Sequence, residues 1–429
     1  MSVRLTRAQR RRNYYLNLRS YKLRNNTQRR INARWASHTQ RYKEYFDYGI
    51  ITDVDNLAEA FYRQCRKNLK WKKSIQEFDQ HLLYNCICLS DKLNRLEVPW
   101  EEYKRFPVNE RGKIRQIAAP GLDERVTQNC MVNNVLYPVM LPSLIYDNGA
   151  CLKGKGIGFT RKRLVKHLTD YMLTNKTHDG YILLIDFHGY FANIDHENVM
   201  YEYNRRLFNE YMLYIISKYM YLFNPEGVGV GLGSTLSQLS ALLLPNRLDH
   251  AMKEKFHMKY YGRYNDDIYI IHQSREVLER LLQEIIKICD MLKIKLNTNK
   301  TKICRLSQGF TFLKCRYFVS QKKYSITKGE GRIMKFSGRK NANHQKGKLY
   351  ELNYRINKHT ATFQEFHNQY KSWRNSTIKE FDCRRIIKSM DNYYYKLTNQ
   401  RYDPNRKFNR WGFVYQRYID ANAELQRIN

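Results

Sequence analysis

Lys259-Tyr-Tyr-Gly-Arg-Tyr264-Asn-Asp-Asp267-Ile-Tyr-Ile-Ile-His272 is the stretch on which the fold turns. Two β-rich runs flank Asn265-Asp266-Asp267, and Asn tolerates positive φ, so a tight hairpin is expected there. Its tip carries adjacent aspartates between apolar strands, an expensive arrangement because two like charges share a partly buried spot. A cation should answer them. About eighty residues earlier, Tyr181-Ile-Leu-Leu-Ile-Asp186-Phe187 reads as a buried strand with one carboxylate near its end. A sheet can set these strand ends side by side. Three carboxylates converging at a sheet edge are what two divalent ions roughly 4 Å apart need for phosphoryl transfer. An isolated Asp-Asp dipeptide is ordinarily a solvated turn, so the decision rests on the segments around it.

Those segments occur in a recognisable order. Tyr264-Asn-Asp-Asp267 resembles the YxDD box of reverse transcriptases. Asp186-Phe-His-Gly-Tyr-Phe191 is similar to that family's first palm motif, an Asp followed five residues later by an aromatic. Between them, Gly229-Val-Gly-Leu-Gly-Ser-Thr-Leu-Ser-Gln238 resembles the template-binding loop. Beyond the box, Leu296-Asn-Thr-Asn-Lys300 resembles the lysine-bearing motif and Phe312-Leu-Lys-Cys315 the primer-grip turn. The agreement runs over about residues 105 to 320, and five segments in sequence are far more specific than one box.

The resemblance implies a role for each position. Asp186, Asp266 and Asp267, with the Phe187 carbonyl, would hold two Mg²⁺ or Mn²⁺ ions. Lys113 and Arg115, in a polar hairpin around Asn109 to Arg115, would grip the triphosphate. Phe191 would be the steric gate under the sugar, and Lys300 would protonate or pair with pyrophosphate. Gly231, Gly233 and Ser234 would lie along template and primer, as would Phe312 and Leu313; Leu232 and Gln238 would lie at the nucleotide. His196, His250 and His272 read as structural.

Ile145-Tyr-Asp-Asn-Gly-Ala-Cys151-Leu-Lys-Gly-Lys-Gly156, preceded by Arg125 and Gln128, resembles the bacterial branch, in particular the enzymes of diversity-generating retroelements and of phage defence. Ser237-Gln238 points the same way. Two positions depart from the usual pattern: Leu232 replaces a Gln that touches the nascent base pair, and Gly231 stands where Pro is common.

The chain has 429 residues, with 76 Lys and Arg against 40 Asp and Glu, a net charge of +36. Such an excess calls for a polyanion, because self-repulsion is otherwise unrelieved; nucleic acid comes before an anionic membrane. No apolar run approaches the roughly 18 residues of a spanning helix. Nine scattered cysteines without CxxC spacing fit a reduced cytosolic protein without a zinc finger. Residues 1 to 43 hold 13 Lys and Arg and no acid, and read equally as a disordered arm or an RNA-binding one.

The expected fold class is α+β, a right-hand polymerase. A basic extension at 1–51 precedes fingers at 52–180, a palm with an antiparallel sheet at 181–330, and a basic helical thumb at 331–429, with helical spacing at 349–373 and 377–398. The thumb stretch is too short and acid-poor for an RNase H domain.

The expected function is RNA-directed DNA synthesis on a dedicated noncoding RNA by a cytoplasmic enzyme, bacterial or phage-encoded, serving antiphage defence or retroelement diversification. The partners are the RNA, its cDNA product and dNTPs; an accessory protein is compatible with this reading, a membrane is not, and oligomeric state is open. The alternative is an RNA-binding scaffold or maturase with a vestigial polymerase. Replacing Leu232→Gln restores a polar contact to the nascent pair and should lower misincorporation severalfold in a copying assay; an unchanged error rate would count against the reading.

Overall fold

A computed structural model describes Tyr45 and residues 47–110, 113–319, 333–337, 339–380 and 383–406. The basic arm read at 1–43 therefore lies outside the described residues. Among the described residues, no helix is long and apolar enough to cross a membrane, and all nine cysteines are thiols. The chain divides into two compact units, one from Met1–Arg163, Ile185–Ile270 and Glu276–Lys302, the other from Leu164–Leu184, Ile271–Arg275 and Ile303–Asn429. This partition cuts across the fingers, palm and thumb ranges read from sequence.

In the first unit the chain enters as short helices. Helix Val54–Ala60 starts where the Asp53 carboxylate accepts the Asn56 N–H, and helix Leu82–Asn94 buries Cys86, Leu89 and Leu93. Phe61 stacks on Phe78 with ring centroids 4.7 Å apart, closing this small core. Strands β1 (Lys104–Glu110) and β2 (Lys113–Ala119) form an antiparallel hairpin, in register from Lys104↔Ala119 to Glu110↔Lys113. The side chains at its tip, Lys113 included, lie outside the description. Helix Leu122–Met131 follows and buries Glu124, Gln128 and Cys130.

Strand β3 (Tyr181–Asp186) buries Ile182 to Ile185, as its apolar run requires. Strands β4 (Tyr261–Tyr264) and β5 (Asp267–His272) pair antiparallel around a two-residue turn. With β6 (Lys302–Arg305) they make a four-stranded sheet of order β4-β5-β3-β6. Helices Glu210–Phe223 and Thr235–Leu243 are capped by the Asn209 and Ser234 side chains. Helix Arg275–Met291 buries Leu278, Leu281, Ile285 and Cys289, the i, i+3, i+7 face its sequence displays.

The second unit contains β7 (Phe310–Phe312), β8 (Cys315–Val319) and β9 (Ile333–Ser337), a three-stranded antiparallel sheet. A strand thus opens the stretch read as wholly helical. Its helices are Arg339–Asn357, Phe363–Glu380 and Arg384–Thr398, around Leu349, Phe366, Tyr370, Met390 and Tyr394. The single helix expected over 349–373 is two. His359 takes a left-handed conformation, and Thr362 with Glu365 exchange backbone and side-chain bonds that start the next helix.

One close approach accounts for a departure noted in the sequence. A Cβ on Gly231 would lie 2.9 and 3.1 Å from the Phe223 ring, which ends helix Glu210–Phe223. A pyrrolidine cannot occupy that position without moving the ring. Gly231→Ala should lower stability by about 1–3 kcal/mol, and Phe223→Ala in the same chain should remove that increment; denaturant unfolding of the four variants of the cycle measures it.

Candidate active site

The turn between β4 and β5 is shaped by its first residue. Asn265 has φ +56°, a conformation Asn adopts more readily than most side-chain-bearing residues, and Tyr264 pairs with Asp267 across it. Asp266 and Asp267 are therefore carried at the tip of a hairpin whose strands are buried from Ile268 inward. The tip is joined to β3 through the backbone, because the Phe187 N–H donates to the Asp266 carbonyl at 3.3 Å. The end of β3 is itself held: the Asn297 N–H donates to the Asp186 carbonyl at 2.8 Å, and the His188 N–H to the Lys295 carbonyl at 2.7 Å.

The Asp186 carboxylate accepts the Lys300 ammonium at 2.7 and 2.8 Å and the Asn297 amide at 2.9 Å. Burial pushes the Asp266 carboxyl up, and the neighbouring Asp186 charge adds to the rise; the Lys300 and Arg115 charges oppose it. Asp186, Asp266, Lys300 and Arg115 thus share one electrostatic site. Carboxylate oxygens with a backbone carbonyl are the donor set of hard divalent cations, so the chemistry of these residues fits Mg²⁺ or Mn²⁺. Among the described residues, however, no three His, Cys, Asp or Glu side chains form a ready cage. The strand ends meet as expected, while the Asp186 side chain is engaged with Lys300 and Asn297.

Under the turn lies a network that the motif reading did not include. Arg263, fully buried on β4, donates from Nε to both Asp249 oxygens at 2.8 and 3.0 Å and from Nη2 to Oδ2 at 2.6 Å. Nη2 also reaches the Leu242 carbonyl at 3.0 Å, and Nη1 the Asn265 carbonyl at 3.1 Å. The Tyr261 hydroxyl donates to Asp249 as well. On the other edge of β4, the Arg263 N–H donates to the Asp147 carbonyl at 3.1 Å and its carbonyl accepts from Gly149 at 3.0 Å. Asp147 is in turn bound by Arg163 at 2.6 Å and Lys253 at 3.0 Å. A sequence signal existed, namely a charged residue in a run otherwise suited to burial.

The glycine-rich loop sits against the β1-β2 hairpin. Gly233 has φ +116°, and a Cβ there would lie 3.6 Å from the Ala118 carbonyl of β2. The Val230 N–H donates to the Phe191 carbonyl at 2.8 Å, and the Gly229 N–H to the Ile194 carbonyl at 2.7 Å, so the loop is anchored to the segment after β3. Phe191 is half-buried, edge-on to Tyr190; Leu232 is half-buried and Gln238 exposed. Ser234 Oγ caps the following helix at Ser237 N and donates to Gln128 at 2.6 Å; Gln128 donates to Glu124 at 2.7 Å. Tyr103 donates to the same Glu124 oxygen at 2.9 Å, and the other oxygen is buried without a hydrogen-bond partner. Beside them is a cavity of about 20 Å³, lined by Tyr103, Gln128, Phe223, Gly231 and Ser234, large enough for one water.

In the second unit, Phe312 pairs with Cys315 across Leu313 and Lys314, whose φ values are +47° and +62°. A two-residue turn with both central residues left-handed matches the twist of a hairpin, but without glycine it is strained. The histidines have packing partners: His196 with the Gly229 carbonyl, His250 with Glu254 and the Ser143 carbonyl, His272 with Ser274.

A family model described as "Reverse transcriptase (RNA-dependent DNA polymerase)" matches residues 104–321, half of the chain. Protein YkfC of Escherichia coli (strain K12) is 22% identical over 356 residues, covering 70% of this chain and 89% of its own. Among solved structures, a C-terminally truncated apo telomerase from Candida tropicalis is 14% identical over 55% of this chain, with a TM-score of 0.39. Telomerase from Candida albicans, in complex with a fragment of telomeric RNA, is 10% identical over 80% of this chain, with a TM-score of 0.41. The matches span 58% and 62% of those two telomerase chains.

Burial pushes the Glu124 carboxyl from its ordinary 4.5 up to about 7; the Tyr103 hydroxyl pulls the other way and the Glu101 charge adds to the rise. Raised in the folded state, this acid favours folding fully below about pH 4.5 and progressively less as pH rises through about 7. The loss is on the order of 3 kcal/mol. Glu124→Gln keeps a carbonyl for Gln128 and cannot ionise. Its unfolding free energy should therefore stay flatter than that of the parent between about pH 5 and pH 8, measured by denaturant titration across that range.

Proposed function

This chain belongs to the reverse transcriptase family, the RNA-directed DNA polymerases, and we propose that it copies a dedicated noncoding RNA into cDNA by two-metal-ion nucleotidyl transfer, in antiphage defence or retroelement diversification. The observation that carries the reading is the backbone junction that sets the Asp266-Asp267 turn against the end of β3 at Asp186, inside the matched residues. Asp186, Asp266 and Asp267 with the Phe187 carbonyl would hold two Mg²⁺ ions, whose chemistry is to lower the pKa of a primer 3′-hydroxyl and to neutralise departing pyrophosphate.

The chain's own groups do the rest. Arg115, whose charge is already felt at Asp266, meets the triphosphate with a forked donor set, and Lys113 on the same strand joins it. Lys300 leaves Asp186 for the pyrophosphate as charge develops there and delivers a proton from Nζ. Phe191 lies under the sugar and excludes a 2′-hydroxyl by volume. Leu232 presents an apolar surface to the nascent pair, which relaxes base selection. Gln238 lies with Leu232 at the nucleotide, Gly231, Gly233 and Ser234 line template and primer, and so do Phe312 and Leu313.

The resemblance of residues 145–156 and of Ser237-Gln238 to the bacterial branch supports the biological roles named. The excess of 76 basic over 40 acidic residues supports an RNA larger than the copied duplex, and the scattered cysteines without CxxC spacing support a reducing, cytoplasmic setting. Asp266→Ala with Asp267→Ala should abolish primer extension on RNA with dNTPs and Mg²⁺ while RNA affinity stays within about twofold, since the removed charges are not phosphate contacts. Wild-type protein that binds RNA and makes no DNA on any copurifying RNA would favour the scaffold instead.

A further inference from the structure

The buried Arg263 guanidinium has five N–H donors, and four of them are engaged on groups from three different places. They reach Asp249 in helix Asn246–His250, the Leu242 carbonyl near the end of helix Thr235–Leu243, and the Asn265 carbonyl in the catalytic turn. Only one of these contacts is the ion pair. A buried ion pair is poor evidence for stability, since apolar side chains of similar volume commonly serve as well. Its worth is in direction, because a planar fork holds several acceptors at set angles.

We propose that Arg263 is a positioning residue for the proposed polymerase site: its grip on the Asn265 carbonyl holds the left-handed turn that aims Asp266 and Asp267. Three observations carry this. Asn265 is held at φ +56°, a backbone state that costs energy for a residue with a Cβ and persists where the surroundings over-determine it. The carbonyl that Arg263 holds belongs to the residue immediately before Asp266, so rotating that peptide would redirect the carboxylates and the Asp266 carbonyl that accepts Phe187 N–H. The second anchor, Leu242, belongs to the helix capped by Ser234 of the glycine-rich loop, so one side chain fixes the turn and that helix together. Asp249 keeps the fork charged, oriented and desolvated without touching the turn itself.

The inference rests on the polymerase reading, and the test separates the two. Arg263→Lys retains a charge for Asp249 but cannot serve Asp249, Leu242 and Asn265 at once. Arg263→Met with Asp249→Leu removes the pair and leaves the site apolar. Thermal melting, Mn²⁺ binding by electron paramagnetic resonance, and primer extension against Mg²⁺ concentration are measured on wild type and both variants. The expected result is melting close to wild type with Mn²⁺ affinity down about 10- to 100-fold, the usual effect of losing a group that orients ligands. The Mg²⁺ requirement should rise in parallel while RNA affinity is unchanged.

Folded variants that bind Mn²⁺ and extend primers as wild type does would overturn the inference. So would failure of both variants to fold, which would make the pair a stability element only. Should the double variant alone fail to fold, Arg263→Lys decides. Wild type that binds Mn²⁺ and makes no DNA would overturn the polymerase reading; the Mn²⁺ comparison would still judge Arg263.

Discussion

The geometry of the candidate site depends most on an arginine that has no contact with water. Arg263 and Asp249 are both fully buried, and taking two charges out of water is repaid only when nearly every donor and acceptor is met. Here the guanidinium meets a bidentate carboxylate and two backbone carbonyls, and the carboxylate also receives the Tyr261 hydroxyl. The requirement runs outward from there. Strand β4 is locked to Asp147 and Gly149 on one edge and to β5 on the other, and β5 begins at Asp267. The acidic turn is therefore held by an inner, dry layer of polar bonds rather than by its own short hairpin.

Cations of this strongly basic chain act on the candidate carboxylates. Asp186 meets Lys300 directly, and Arg115 acts on Asp266 through space. Both are side chains that can shift toward a phosphate, whereas the charges that hold the scaffold are short-ranged and withdrawn from water, Arg263 with Asp249 fully and half-buried Arg163 on buried Asp147 in part. Fixed pairs build the frame, and in the proposed reaction the movable ones would face the substrate. The glycine-rich loop follows the same division, with Ser234, Gln128 and Glu124 fixing its far side while Leu232 and Gln238 remain accessible.

Much of this was legible in the residues. Apolar runs of strand length ending in Asp186, and flanking Asp266 and Asp267, put the carboxylates at strand ends, because buried strands must turn where the chain becomes polar. The helix at 275–291 followed from its period. The helices after 339 were less legible, since their boundaries are set by His359 in a left-handed state and by a reciprocal Thr362–Glu365 cap, both weak against a continuous basic pattern. Gly231 could be seen to be unusual, yet its reason is the Phe223 ring, eight residues away and on a helix end. The Glu124 carboxyl gave no signal, because a Glu in an amphipathic helix looks solvated until Tyr103 and Gln128 are placed beside it.

The sequence by itself determined the chemistry: which residues are acidic and adjacent, which loop lacks side chains, how basic the whole must be, and which family these belong with. Order along the chain carries that information because each motif is local. Only the tertiary structure decided how the motifs are aimed. It paired Arg263 with Asp249, fourteen residues earlier, and through it bound the turn before Asp266 to the end of helix Thr235–Leu243. It also put Lys300 on Asp186 across more than a hundred residues. Such pairings depend on burial and angle, and those exist only once distant segments share one dry interior.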